Sequence, residues 1–256
     1  MTISGSTAYR RLANGVESES AVITISARRI SRGLVSVIVV LLVSHLASEA
    51  VAAAWGEPQR LRHFFSLNSE AVPGAWFSSL QLLLCAVLLT VIARKGYGNC
   101  HPRYWGVLAF GFYFLALDEG AQVHELMTPL VHTFMGRSGI ARQGWFIPVI
   151  PLVIVIGICY LRFLMRLPRG TAIQFIIGGS LFLGGAFGVE IVTSFYKEAM
   201  AAVSSSCQLK GPCGYGYSIM LAIEEGMEMI GITIFANALL HIMPAVLPRS
   251  ELRFDH

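Results

Sequence analysis

Charge is scarce in this sequence. Only 13% of its 256 residues are Asp, Glu, Lys or Arg, against 55% hydrophobic, and the mean hydropathy is +0.64. Soluble domains carry about a quarter charged residues, so an ordinary water-soluble domain is excluded and a multi-pass membrane protein is implied. Metal-type cysteine spacing is missing as well. The five cysteines form no Cys-x-x-Cys pair, which argues against a zinc ribbon or a thioredoxin-like site. No basic patch is interleaved with aromatics, so the net charge of +4 does not point to nucleic acid. Residues 1–32 are polar and lack an apolar core followed by a small-residue cleavage site, so they do not read as a removable signal peptide.

What the chain does contain is six long apolar runs, at 33–55, 75–93, 104–131, 145–164, 171–196 and 217–243. Each approaches or exceeds the ~20 residues that a bilayer requires of a helix. The expected fold is therefore all-α: an integral membrane bundle of six transmembrane helices over residues 33–244, between tails at 1–32 and 245–256. Lysine and arginine set its orientation. The two tails and the connections after the second and fourth spans hold 13 of the 19 (five, two, three and three), so the positive-inside rule puts both termini in the cytoplasm. Glycines at 178, 179, 184, 185 and 188 predict close helix packing in the fifth span. Cys207 and Cys213 fall in an outer loop, and their spacing leaves a disulfide and two free thiols equally open.

The third span carries the sequence L-A-L-D-E-G-A-Q-V-H-E at 115–125, and the sixth carries L-A-I-E-E-G-M-E-M-I-G at 221–231. An ionisable residue at bilayer depth is costly unless paired, protonated or bound to a cation, so it marks a functional site by default. At ~1.5 Å per residue, Glu49, Asp118, Glu119, Glu125, Glu190, Glu224, Glu225 and Glu228 all fall in the outer half of the expected bundle or near its midplane. His45 lies one turn from Glu49, and His124 adjoins Glu125. These eight acids are among only 15 in the chain, and no Lys or Arg falls within the spans at their depth, so protonation, water or bound cations remain to neutralise them.

Carboxylates with one or two imidazoles suit iron, manganese or calcium better than copper or structural zinc. Di-iron and di-manganese bundles use such ligands, with Glu-x-x-His pairs; here the ligand types fit and that motif is absent. The expected site has His45, Glu49, Asp118, His124, Glu125, Glu190, Glu224 and Glu228 as ligands to one or two Fe or Mn ions, with Glu119 and Glu225 left as proton donor or acceptor.

Five motifs together resemble an abundant group of bacterial multi-pass membrane proteins: L-D-E-G-A-Q-V-H-E at 117–125, Trp145 with Pro148, L-R-F-L-M-R-L-P at 161–168, G-G-A-F-G-V-E at 184–190 and E-E-G-M-E-M-I-G at 224–231. The resemblance covers roughly residues 104–243. It implies a six-span protein of the bacterial inner membrane and brings no activity with it. The chain departs from the histidine boxes of membrane desaturases and from the pattern of prenyl-protease-like enzymes.

Three readings follow. The first is a metal-dependent membrane enzyme, an oxidoreductase or hydrolase acting on a lipid or other hydrophobic substrate. The second is a cation- or proton-coupled transporter, ranked lower because the inner half offers few polar residues beyond Gln81, Gln174 and Asn237. The third is a non-catalytic membrane assembly subunit whose acids pair with another chain. For each acid a plainer role also stands, that of a protonated side chain hydrogen-bonded between helices. The matching pieces L-A-L-D-E-G and L-A-I-E-E-G raise the further thought of an inverted three-span repeat.

Overall fold

A computed structural model describes residues 23–55, 59–67, 69, 71–136, 144–203, 212–247 and 252–255. The described chain is helical except for two four-residue strands. Strand β1 (Ile23–Ser26) leads into α1 (Ala27–Trp55); then come α2 (Gln59–Phe65), α3 (Pro73–Lys95), α4 (Pro102–Ala121), a 3-10 turn (Val123–Leu126), α5 (Met127–Met135) and α6 (Phe146–Arg166). After these follow α7 (Arg169–Leu183), a π-helical turn (Gly184–Val189), α8 (Glu190–Val203), α9 (Pro212–Val246) and β2 (Leu252–Asp255). Five stretches are long and apolar enough to cross a membrane: α1, α3, α6, residues 169–200 through α7 and α8, and residues 214–246 of α9.

The third expected span is the exception, because its helix does not reach residue 131. Helix α4 opens with proline in its first turn, where a missing amide hydrogen costs nothing, and His101 caps it by accepting from the Arg103 amide at 3.2 Å. It closes at Gln122, whose backbone is left-handed (φ 47°, ψ 44°). The Asp118 carboxylate accepts from the His124 amide at 2.7 Å, and this side-chain bond competes with continuation of the helix. Pro129 then falls in the first turn of α5, so the chain breaks seven residues before this proline.

Side-chain links fix the direction of each helix. Ser31 donates to Asn237 Oδ1 (2.9 Å), whereas His45 meets the Ser218 carbonyl (3.3 Å), so α1 and α9 are antiparallel. Ser79 donates to the Ala116 carbonyl and Tyr97 packs on Trp105, so α3 and α4 are antiparallel. Tyr160 donates to the Tyr104 carbonyl at one end while Trp145 meets His124 at the other, which sets α6 against α4. Helices α1, α3, α4, α6, α7–α8 and α9 therefore run alternately up and down. Strands β1 and β2 pair in parallel, Ile23 with Leu252 through Ser26 with Asp255, bringing both described ends of the chain together.

The two ends of the bundle differ in what they bury. At the end where β1 and β2 meet, Trp105, Phe163, Phe175 and Phe235 form an aromatic core, with ring centroids of Phe175 and Phe235 4.1 Å apart. The other end holds the acids. Asp118 and Glu224 both lie there, whereas an inverted repeat would place them at opposite ends. Cys207 lies outside the described residues, so the pairing of Cys207 and Cys213 does too.

Close packing at glycine is found on α7 and the π-turn, as the sequence predicts, though not at every glycine. A Cβ on Gly178 would stand 2.8 Å from the Gly231 carbonyl oxygen, and one on Gly231 would stand 2.6 Å from that of Gly178. Gly185 packs likewise on the Glu224 carbonyl and the Glu228 side chain, while Gly179 and Gly188 face open space. Gly231→Ala must push two backbones apart, and should cost about 1–3 kcal/mol; Gly179→Ala should be neutral or stabilising by up to ~1 kcal/mol, because alanine favours helix. Thermal unfolding of both variants in detergent checks the contrast.

Candidate functional site

The acids fall into three settings at one end of the bundle. The first is the rim of α1. Glu49 is buried and pairs with Arg62 at 2.7 Å. Arg62 comes from α2, a seven-residue helix in the loop after α1 that folds back over it. His45, one turn earlier and fully buried, points its Nε2 at the Ser218 carbonyl (3.3 Å) and leaves Nδ1 without a partner among the described residues. The expectation that no basic residue could reach these acids is thus corrected: arginine arrives from a loop. Lys197, in the middle of α8, is a second base, lying 4.6 Å above the Tyr217 ring and within charge range of Glu190 and Glu224.

The second setting is the turn after α4. Asp118 accepts from the His124 amide through Oδ1 and meets His124 Nδ1 through Oδ2 (2.8 Å), so one carboxylate both caps the 3-10 turn and orients the imidazole. The ring of His124 packs on Trp145 at 4.6 Å, and Trp145 Nε1 donates to Glu190 Oε1 at 3.3 Å. Glu190 is the first residue after the π-turn, and such turns recur at functional sites. Glu125, by contrast, is exposed. Burial works against a charge on His124, but the hydrogen bond and charge of Asp118, with Glu190 and Glu125, outweigh it and raise its pKa above the ordinary 6.5.

The third setting is the interior. Glu119 on α4 and Glu224, Glu225 and Glu228 on α9 are each half-buried. Glu225 and Glu228 lie within charge range of Glu119, Glu224 and Glu190, yet Glu119, Glu224, Glu225 and Glu228 make no hydrogen bond or ion pair with any described residue. Adjacent residues on α4 are thus sent to different places, Asp118 to the turn and Glu119 to the interior.

Below the interior acids a polar file continues along α9. Gln81 on α3 donates to Thr233 Oγ1 (2.8 Å); Asn237 donates to Gln174 Oε1 (3.0 Å) and accepts from Ser31 (2.9 Å); His241 Nδ1 meets the Asn237 carbonyl (2.7 Å). Gln81 Oε1 and Ser78 Oγ are buried with no partner among the described residues, and buried polar atoms in that state are places where water binds. The sequence names Gln81, Gln174 and Asn237 as isolated polar residues; their meeting on α9 is tertiary. Arg62, Lys197 and Ser218 were not among the expected site residues. The only sequence signal for Arg62 is the pattern Q-R-L-R-H-F-F, in which two aromatics give a loop helix a reason to fold back.

Among the described residues no three His, Cys, Asp or Glu side chains stand as a set that could hold a metal ion. The expected Fe or Mn centre therefore draws no support from this geometry: His45, Glu49, Asp118 and His124 are engaged elsewhere, and Glu125 faces outward.

The apolar helices define a multi-pass membrane protein, and its acids gather at one end of the helical bundle. Residues 33–242 match a family described as a domain of unknown function, DUF8692. The chain belongs to this family. No curated protein and no solved structure matches it.

The raised pKa of His124 gives a stability contribution that is complete below pH 6.5 and is lost as pH rises through the folded value. Melting temperature followed from pH 5 to 9 should fall across that window in the native protein. Asp118→Asn removes the charge that raises the pKa, and should flatten this part of the profile.

Proposed function

We propose that the protein is a proton-coupled membrane transporter in which Glu119, Glu225 and Glu228 take up and release protons. In this reading all six alternating helices cross the bilayer. Helix α4, the one outside the five apolar candidates, has 20 residues, about 30 Å at 1.5 Å per residue, which matches the hydrocarbon core. Six crossings agree with the pairing of β1 and β2 at one end. In the same reading the end richer in lysine and arginine is cytoplasmic, and the acids lie toward the opposite side of the membrane.

The observation that carries the proposal is the continuity of acids and polar file along α9. Carboxyl groups without partners inside a membrane protein are suited to a proton relay. From Glu225 and Glu228 the polar positions continue through Thr233 with Gln81 and Asn237 with Gln174 toward His241. A transport path needs access from both sides, and this file supplies the half that a one-sided acid cluster lacks. The metalloenzyme reading needs convergent ligands, and no such set stands together among the described residues.

The test is proton flux in proteoliposomes, read with an internal pH-sensitive dye under a potassium-driven potential. The native protein should acidify or alkalinise the lumen according to the sign of the potential. Glu225→Gln and Glu119→Gln should each slow flux roughly a hundredfold, the scale on which a positioned proton-transfer group acts, and Gln81→Leu should slow it by interrupting the file. Native-like flux in Glu225→Gln would sink the proposal.

A further inference from the structure

Among the described residues, the ring contacts and side-chain hydrogen bonds of helix α6 to other helices fall toward its two ends. At the acid end Trp145 packs on His124 and on Phe187 (5.5 Å), and Phe146 is fully buried. At the other end Tyr160 donates to the Tyr104 carbonyl, and Phe163 packs 4.9 Å from Trp105. Between these anchors residues 151–159 are exposed, apart from half-buried Val153. Nine residues make two and a half helical turns, so the exposure includes the side turned toward the bundle. A slot therefore separates the middle of α6 from α4.

The opposite wall is a stripe on α4. Tyr104, Leu108, Gly111, Leu115 and Glu119 recur every third or fourth residue, on one helix face, and all are half-buried. The stripe starts where Tyr104 meets α6 and ends at an unpartnered carboxyl. The antiparallel pairing of Tyr104 with Tyr160 and of His124 with Trp145 puts Gly111 level with the turn from Val153 to Gly157. A Cβ on Gly111 or on Gly157 would meet nothing within 4 Å, so each glycine borders open space.

We infer that this slot binds the alkyl or acyl chain of an amphiphile entering sideways from the bilayer, with an ammonium head group held at Glu119. Its walls are apolar and it opens to lipid along the length of α6. At its polar end Asp118, Glu119, Glu125 and Glu190 outnumber the bases within range, His124 and Lys197, so a cationic head is attracted and an anionic one repelled. This names the substrate class for the transport reading, and rests on it for the role of Glu119.

The test uses oleylamine, oleyl alcohol and oleate with the purified full-length protein in detergent at pH 7, where the amine is charged. Oleylamine at roughly a hundredfold above its Kd should raise the melting temperature by about 5–10 °C, and oleate should not. Gly111→Leu and Gly157→Leu add bulk only to the slot; they should keep the basal melting temperature and lose the shift. Glu119→Gln should bind the amine no better than the alcohol. Equal shifts with all three ligands, no shift with any, or an undiminished shift in both leucine variants would overturn the inference. So would efficient oxidative cross-linking through exposed Cys159 on α6 in native membranes, because a second copy would then cover this face. Flux without oleylamine binding rejects the slot and spares the transport reading; binding without flux does the reverse.

Discussion

Everything in this bundle depends on how closely α7 approaches α9. In lipid, apolar side chains gain nothing by leaving their surroundings, so helices associate through dense van der Waals contact and small residues. Gly178 and Gly231 supply that contact, each backbone standing where the other's side chain would be. With α7 on one side and α1 and α3 on others, α9 becomes the central helix, 67% of its apolar window buried, against 6% for α6. Central position decides the fate of its polar residues. Whatever α9 carries is interior, so Glu224, Glu225 and Glu228 cannot turn to the head groups as side chains on an outer helix would.

Depth then separates acids that find a base from those that do not. Glu49 sits near the end of α1, within reach of a loop, and Arg62 reaches it. Lys197, two turns into α8, lies within charge range of Glu190 and Glu224. Glu225 and Glu228 have no such neighbour among the described residues, and Glu119 has His124 alone within charge range. Their remaining partners are protons, water and one another, and three carboxyls in one interior cannot all be ionised cheaply. That constraint is the basis of the proton-exchange reading, and among the described residues no three side chains form a set that could hold a metal.

Much of this was legible in the sequence, and the illegible part has identifiable causes. Hydropathy marks the apolar helices because it reports a one-dimensional property, and counting residues from lysine- and arginine-rich loops places the acids at one end. Gly178, Gly184 and Gly185 were readable as packing positions. The break at Gln122 was not, since M-T-P-L-V continues the apolar run past it and the bond from Asp118 to the His124 amide leaves no periodic trace. Nor does helical phase distinguish ligand-like residues that converge from those that point apart: Glu125 shares a stripe with Asp118 only if the helix continues, and it does not. Likewise the sequence shows that Gln81, Gln174 and Asn237 are few. It does not show that they meet on one helix.

The end of α4 joins these features. By stopping at Ala121 the helix frees Asp118 to bind the turn that follows, which holds His124 against Trp145 and so anchors α6 at the acid end. One residue further on, Glu119 remains on the helix and points inward. An α4 that continued straight would take His124 away from Trp145 and remove that anchor, and the slot along α6 would lose the contact that closes it. In the transport reading proposed above, Glu119 stands where the α4 stripe meets the acids of α9. A coupled transporter needs one group that both its substrate and its proton must meet, and in that reading Glu119 is the carboxyl that would serve.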